Sequence, residues 1–305
     1  MHTLFCLENR SILHLEGANV PSLLKLLLCG DVRSLKENHV LFSPMLNLQG
    51  GTMDTVIVFS PREDECWMIV HECSREKILR HIQKQSAADV RTEDCRGRLH
   101  LYALMGREAE SLLESAPVFF SICTDHMGET CHFACVEEES ITAFETHMAQ
   151  RGVTLHSQSD LDVMMIENGI AVYGRELDDT INPLEAGLGQ YVRLERTGFI
   201  GREALVAAGE PRRGVIGLEV ERYGARHGLN VVHRDKDVGV VTSACYSAKL
   251  QKHIALALVE KPYQDLGRRL KVEYGDELIT AYVAQLPFQA GESEEDAEET
   301  QNIPQ

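Results

Sequence analysis

From Arg213 onward, six short apolar runs follow one another with only turns between: "GVIGLEV", "LNVVHRD", "VGVVTSACY", "HIALALVE", "RLKVEYG" and "LITAYVAQL". No segment between them has the length or the 3.6-residue periodicity of a helix. This part of the chain must therefore bury its apolar faces strand against strand. A small antiparallel barrel or sandwich is the expected result.

The residues before it read differently. "SILHLEG" (11–17) alternates like a strand, and "VPSLLKLLLCGDV" (20–32) has helical spacing with Gly30 placed as a C-cap. "HVLFSPMLN" and "TVIVFS" read as two strands joined around Gly50 and Gly51, which let the backbone turn tightly. "CWMIVHE" is a further strand, followed by the amphipathic "SREKILRHIQKQ", with Ser74 as N-cap and Lys77 onward facing out. Residues 98–150 repeat this style as strand, helix, strand, strand and helix, the split βαβ order of ferredoxin-like units. "RELDDTINPLEAGLGQYV" is rich in Asp, Gly and Pro and reads as an ordered, turn-filled segment before a short helix, "GREALVAAG".

A length of 305 residues allows two or three domains. The net charge of −17 argues against a nucleic-acid groove or an anionic membrane as partner. Six of the acids lie in the tail "GESEEDAEETQNIPQ" (291–305), expected to be disordered, which leaves the rest nearer −11. No apolar run approaches the roughly 18 residues of a membrane span, and no secretory signal opens the chain, so a cytoplasmic location is expected. Cys123, His126, Cys131, His132 and Cys135 crowd into "CTDHMGETCHFAC". Zinc knuckles are absent from it, however, and "CHFAC" alternates so that Cys131, Phe133 and Cys135 share a strand face. A core strand, with no metal, is the preferred reading.

"YGRELDDTINPLEAGLGQYVRLERTGFIGREAL" resembles the central signature of the glycine cleavage T-protein (aminomethyltransferase) family. "GDVRSLKENHVLFSPMLNLQGGTMDTVIV", "IVHECSREKILRHI" and "GVVTSACYSAKLQKHIALALVEK" resemble further family stretches, in family order, across most of 11–287. The resemblance implies an α+β, three-domain cloverleaf around a central hole that holds tetrahydrofolate, ending in an antiparallel β-barrel. The domains expected are 1–85 with 156–208 (folate-binding), 86–155 (ferredoxin-like) and 209–290 (barrel). It also implies an activity, the transfer of a one-carbon unit from an aminomethyl-lipoyl carrier protein to folate with release of ammonia. Relatives demethylate small amines and other donors, and distant ones serve iron–sulfur cluster assembly.

The resemblance assigns residues as well. Asp54 matches the first acid of the family's "DD", beside the reactive folate nitrogens, where a carboxylate can stabilise cationic character and exchange a proton. The second acid is Thr55. Glu167 matches a glutamate that takes the two adjacent N–H donors of a pterin, a pairing that suits a carboxylate in an apolar stretch. Arg226 falls near an arginine that helps hold folate, and would pair with Glu167 or meet the cofactor's negative tail. Tyr173 would line the pocket, Met45 and Leu46 would wall the pterin, and His71, in place of the family's Asn, would contact the cofactor. Asp178, Asp179, Asn182 and Glu185 are read as turn braces. The "GYTGE"-type loop is missing, and Phe42, Leu161 and Met165 replace a tyrosine and two arginines. The expected function is a tetrahydrofolate-dependent one-carbon transferase. The alternative is a non-catalytic folate-binding protein for cluster assembly, or a scaffold subunit of an amine-oxidising or transferase complex.

Overall fold

Apolar alternation along the first 156 residues builds two five-stranded sheets, each with one face left for helices. The computed structural model describes residues 2–289 apart from Lys36 and Glu129, so the tail expected at 291–305 lies outside the described residues. The strands are β1 (Thr3–Cys6), β2 (Arg10–Glu16), β3 (His39–Leu46), β4 (Thr52–Arg62), β5 (Glu65–His71), β6 (Arg91–Asp94), β7 (Leu99–Met105), β8 (Phe120–Thr124), β9 (Cys131–Glu137) and β10 (Thr154–His156). Between them run α1 (Val20–Leu27), α2 (Arg75–Gln85), α3 (Ala109–Glu114) and α4 (Ile141–Gln150).

One sheet has the order β3-β4-β5-β2-β6 and the other β10-β1-β7-β9-β8. The second is the expected split βαβ arrangement with β1 inserted, parallel to β10 and antiparallel to β7. Leu4 and Phe5 explain that central place, since the two sides of β1 are buried in different cores. Ile57 and Ile69 from one sheet meet Leu101 and Phe133 from the other in a shared core, which also takes Cys131 and Cys135 as the alternation of "CHFAC" predicts. Leu24, Leu27, Ile78 and Ile82 bring α1 and α2 onto the other face of the first sheet. Leu113, Phe144 and Met148 do the same for α3 and α4 on the second. Among the described residues no group of three or more His, Cys, Asp or Glu is placed to hold a metal ion.

Gly30 is not the C-cap of α1. The helix ends at Leu27, and Leu28 is already extended because it bridges to Met45 beside β3. After α5 (Gln158–Glu167) and α6 (Arg202–Ala208), the six apolar runs become β11 (Arg213–Val220), β12 (Asn230–His233), β13 (Lys236–Ser247), β14 (Lys252–Glu260), β15 (Arg269–Tyr274) and β16 (Glu277–Ala284). They close into a barrel ordered β11-β14-β13-β12-β15-β16, not a sandwich. Closure leaves no unpaired edge and fills the interior with Val231, Val241, Ala257, Leu270, Val272 and Ile279. The chain forms two compact units, one of the residues up to Met165 with Ile170–Val215, the other of Ile166–Gly169 with Ile216 onward. Among the described residues no helix is long and apolar enough to cross a membrane.

Candidate active centre

The turn "NLQGGT" between β3 and β4 is built around another segment. Gly50 adopts φ +84°, and a Cβ on Gly51 would lie 1.8 Å from the Asp179 carbonyl oxygen. The Asn47 side chain donates to that same carbonyl at 2.8 Å. Thr52 donates its backbone N–H to the Asp178 and Ile181 carbonyls, and its hydroxyl to Ile181 again at 2.9 Å. The "LDDTINPLEAG" segment is braced from within. Asp178 Oδ1 accepts from the Thr180 and Ile181 N–H groups, and Asn182 Oδ1 from those of Leu184 and Glu185. Glu185 answers by accepting from the Asn182 N–H at 2.9 Å and from Arg213 Nε at 2.7 Å. For Asp178, Asn182 and Glu185 the expected turn-bracing role is what their hydrogen bonds perform, whereas the Asp179 carboxylate turns instead to Lys77.

Two residues further on, the β3–β4 register slips by one, so that Met45 pairs with Asp54 but Leu46 with Thr52. Such a bulge re-aims the side chains that follow it. Asp54 has the parity of Val56 and Val58, whose core lies under α1 and α2. Its carboxylate is fully buried, where the sequence led us to expect a side chain aimed into an open hole. The physical reason is a set of four donors. Oδ1 accepts from the Thr55 N–H at 2.7 Å and from His71 Nδ1 at 2.5 Å. Oδ2 accepts from the His71 N–H at 3.0 Å and from the Ser74 hydroxyl. Ser74 stands at the N-cap of α2 yet makes no side-chain cap; its hydroxyl is committed to Asp54 and to the His71 carbonyl. A buried carboxylate is tolerable only with its lone pairs engaged in this way.

Around this knot lie groups that converge from distant parts of the first unit. Arg10 Nη1 stands 3.3 Å from His71 Nδ1; burial lowers the guanidinium pKa, and Asp54 opposes that shift. Burial, reinforced by Arg10, also moves His71 below its ordinary value, against the pull of Asp54. Among the described residues, His71 Nε2 is buried without a hydrogen-bond partner, and so is His126 Nε2. Phe42 stacks on His126 at 4.8 Å and meets the edge of Tyr191 at 4.6 Å. The Tyr173 ring lies 5.9 Å from that of His71. Lys77, which the helix pattern would turn outward, instead donates to the Tyr173 hydroxyl and to Asp179 at 2.9 Å.

Burial, then Arg10 and His71, push the His126 imidazole from 6.5 down to about 3. Unfolding frees it to take a proton, so the unfolded state binds more protons between these values and stability is lost as pH falls below 6.5. By about pH 4.5 the loss should reach about 3 kcal/mol. Urea midpoints against pH should show a flatter acid limb in His126→Phe than in wild type; parallel limbs would refute this.

Of the residues the sequence singled out, Asp54, His71 and Tyr173 come together here. Met45 and Leu46 have no exposed surface: they pack in two separate cores, not on a wall open to a ligand. Glu167 and Arg226 belong to the second unit. Glu167 ends α5, accepts from the Ser247 hydroxyl at 2.5 Å and receives the Phe288 N–H on its carbonyl at 2.9 Å. Arg226 is exposed, with its guanidinium 5.5 Å from the centre of the Tyr274 ring; among the described residues the ion pairs include none between Arg226 and Glu167. Sequence reasoning missed Arg10, Ser74 and Tyr191 as members of the centre. It weighed His126 only as a metal ligand.

The chain matches the family description "GCVT N-terminal domain" over residues 4–151 and "Glycine cleavage T-protein C-terminal barrel domain" over 213–289. It is 31% identical over 302 residues to the aminomethyltransferase of Geobacillus thermodenitrificans, covering 89% of this chain and 82% of that one. With the aminomethyltransferase of Listeria innocua it shares 28% identity over 317 residues, 93% of this chain and 86% of the relative. In fold it is similar to the crystal structure of glycine cleavage system aminomethyltransferase T from Bartonella henselae, with a TM-score of 0.85 at 19% identity, covering 95% of this chain and 86% of that one.

Proposed function

The chain belongs to the glycine cleavage T-protein (aminomethyltransferase) family, and from that premise we propose that it is a tetrahydrofolate-dependent transferase. The one-carbon unit would come from a small amine donor or a lipoyl-bearing carrier protein. The observation that carries this reading is the buried Asp54–His71 pair, whose outer imidazole nitrogen has no partner among the described residues, set among the partly buried rings of Phe42, Tyr173 and Tyr191.

Those residues fit a flat heterocycle that carries N–H donors. The orphaned nitrogens of His71 and His126 need hydrogen-bond partners, and aromatic rings favour stacked or edge-on neighbours. Tetrahydrofolate, when bound, supplies the amine that takes over the carbon. The rest falls to this chain's side chains. Asp54 holds the His71 ring through Nδ1. Lys77 fixes the Tyr173 hydroxyl. Phe42, stacked on His126, restricts that imidazole to one plane.

Glu167 is assigned to the pterin's paired N–H groups and Arg226 to its acidic tail. The support is chemical: a carboxylate already oriented by Ser247, and an exposed guanidinium. Glu167→Ala should weaken tetrahydrofolate binding roughly 10- to 100-fold, the loss of one charge-assisted pairing. Calorimetric titration of purified protein tests the reading, followed by assay for methylene- or methyl-folate with methylamines or an aminomethyl-lipoyl carrier. Absence of binding at high micromolar folate, in wild type as in Glu167→Ala, would defeat it.

A further inference from the structure

We propose that His71 Nε2 is the atom through which this centre moves protons, and that Asp54 acts through the ring as a positioning residue. The proposal rests on the transferase reading above and adds the group that performs its acid–base work.

The tautomer follows from the contacts. Two contacts compete for Nδ1: Arg10 Nη1, a donor only, stands 3.3 Å away, and Asp54 Oδ1, an acceptor, lies far nearer at 2.5 Å, so the shorter contact places the proton on Nδ1. Nε2 is then the bare nitrogen. It is buried with no partner among the described residues, whereas a histidine held in a packed interior ordinarily has both ring nitrogens engaged.

The charged and titratable groups facing His71 are Arg10 and Asp54, with Tyr173 beside the ring and His126 coupled to it. Burial and Arg10 disfavour the imidazolium and Asp54 favours it. The balance lies below the ordinary histidine value, which leaves the lone pair free at neutral pH. When the donor is an amine, passing its methyl group to the accepting amine forms one N–C bond and breaks another. Nε2 takes a proton from the amine forming the new bond, Asp54 stabilises the resulting imidazolium, and Nε2–H returns the proton to the amine that leaves. His71 ends neutral, and no oxidant or reductant is required.

The test reads the imidazole directly. Nitrogen-15 NMR of histidine-labelled, ligand-free protein should show His71 protonated at Nδ1 and bare at Nε2; a dominant Nε2–H form would overturn the proposal. On titration with tetrahydrofolate the Nε2 resonance should move as binding saturates. Binding with a silent Nε2 would overturn this proposal alone, whereas no binding would bring down the transferase reading with it. His71→Asn should still bind tetrahydrofolate, but lose roughly 100-fold in turnover and lose the acid limb of the pH–rate profile. Wild-type turnover with an unchanged profile would also refute it.

Discussion

Asp54→Asn should lower turnover by roughly 100-fold, because it removes the carboxylate that positions the His71 ring for acid–base work, and should destabilise the fold as well. Each carboxylate oxygen of Asp54 accepts from one backbone N–H, Thr55 on Oδ1 and His71 on Oδ2. Whichever way the asparagine amide is turned, its NH₂ faces one of those donors, and an unpaired buried donor costs about 1–3 kcal/mol. If the NH₂ replaces Oδ1, it also confronts His71 Nδ1 and drives that ring toward the other tautomer. Asp54→Ala is harsher. It strands all four donors and leaves Arg10 without the charge that offsets its burial, so a loss of about 3–5 kcal/mol is expected. Chemical denaturation and steady-state turnover check the pair. An asparagine variant with wild-type activity and stability would show that the carboxylate is merely buried.

Gly51→Ala should be as damaging, at a site with no part in the chemistry. The added Cβ would sit 1.8 Å from the Asp179 carbonyl oxygen and 3.0 Å from Asn47 Nδ2. Backbone, not a flexible tip, is what it meets, so the "LDDTIN" segment must lift off the turn. That would break the bonds from Asn47 and Thr52 and move Asp179, the partner of Lys77. A loss of about 4 kcal/mol is expected, in the range of severe packing substitutions, and roughly a 6 °C drop in Tm for a chain of this size. Gly189→Ala is the matched control, because its Cβ would stand at an ordinary 3.5 Å from Leu184. Equal Tm values for the two variants would show that the turn yields to the added carbon.

Much of the fold was legible because its signals are local. The six apolar runs after Arg213 could pair only with one another, and period-2 alternation placed Cys131, Phe133 and Cys135 on one face before any contact was known. What was misread depended on partners far along the chain. Gly30 looked like a helix stop, yet α1 ends earlier because Leu28 is captured by Met45. Ser74 has the residue type of an N-cap, but its hydroxyl is drawn to Asp54. Lys77 fits the polar face of α2, and Tyr173 with Asp179 turns it aside.

The candidate centre divides the same way. A carboxylate leading into "VIVF", a histidine closing "CWMIVH" and a tyrosine before "GRELDD" each stood out in the sequence by residue type and by family resemblance. Their convergence did not, nor did the arrival of Arg10 and His126. The reason is that no local rule relates residues on separate strands and loops; the register of the sheets pairs Arg10 with His71, and the one-residue bulge opposite Met45 sets the side of Asp54. By itself the sequence determined most of the elements and, through its family resemblance, the barrel and the family, and it singled out Asp54 by residue type. The tertiary structure alone decided that Asp54 is buried, that His71 is its partner, and that an imidazole nitrogen is left without one, because burial and hydrogen-bond satisfaction belong to the packed chain.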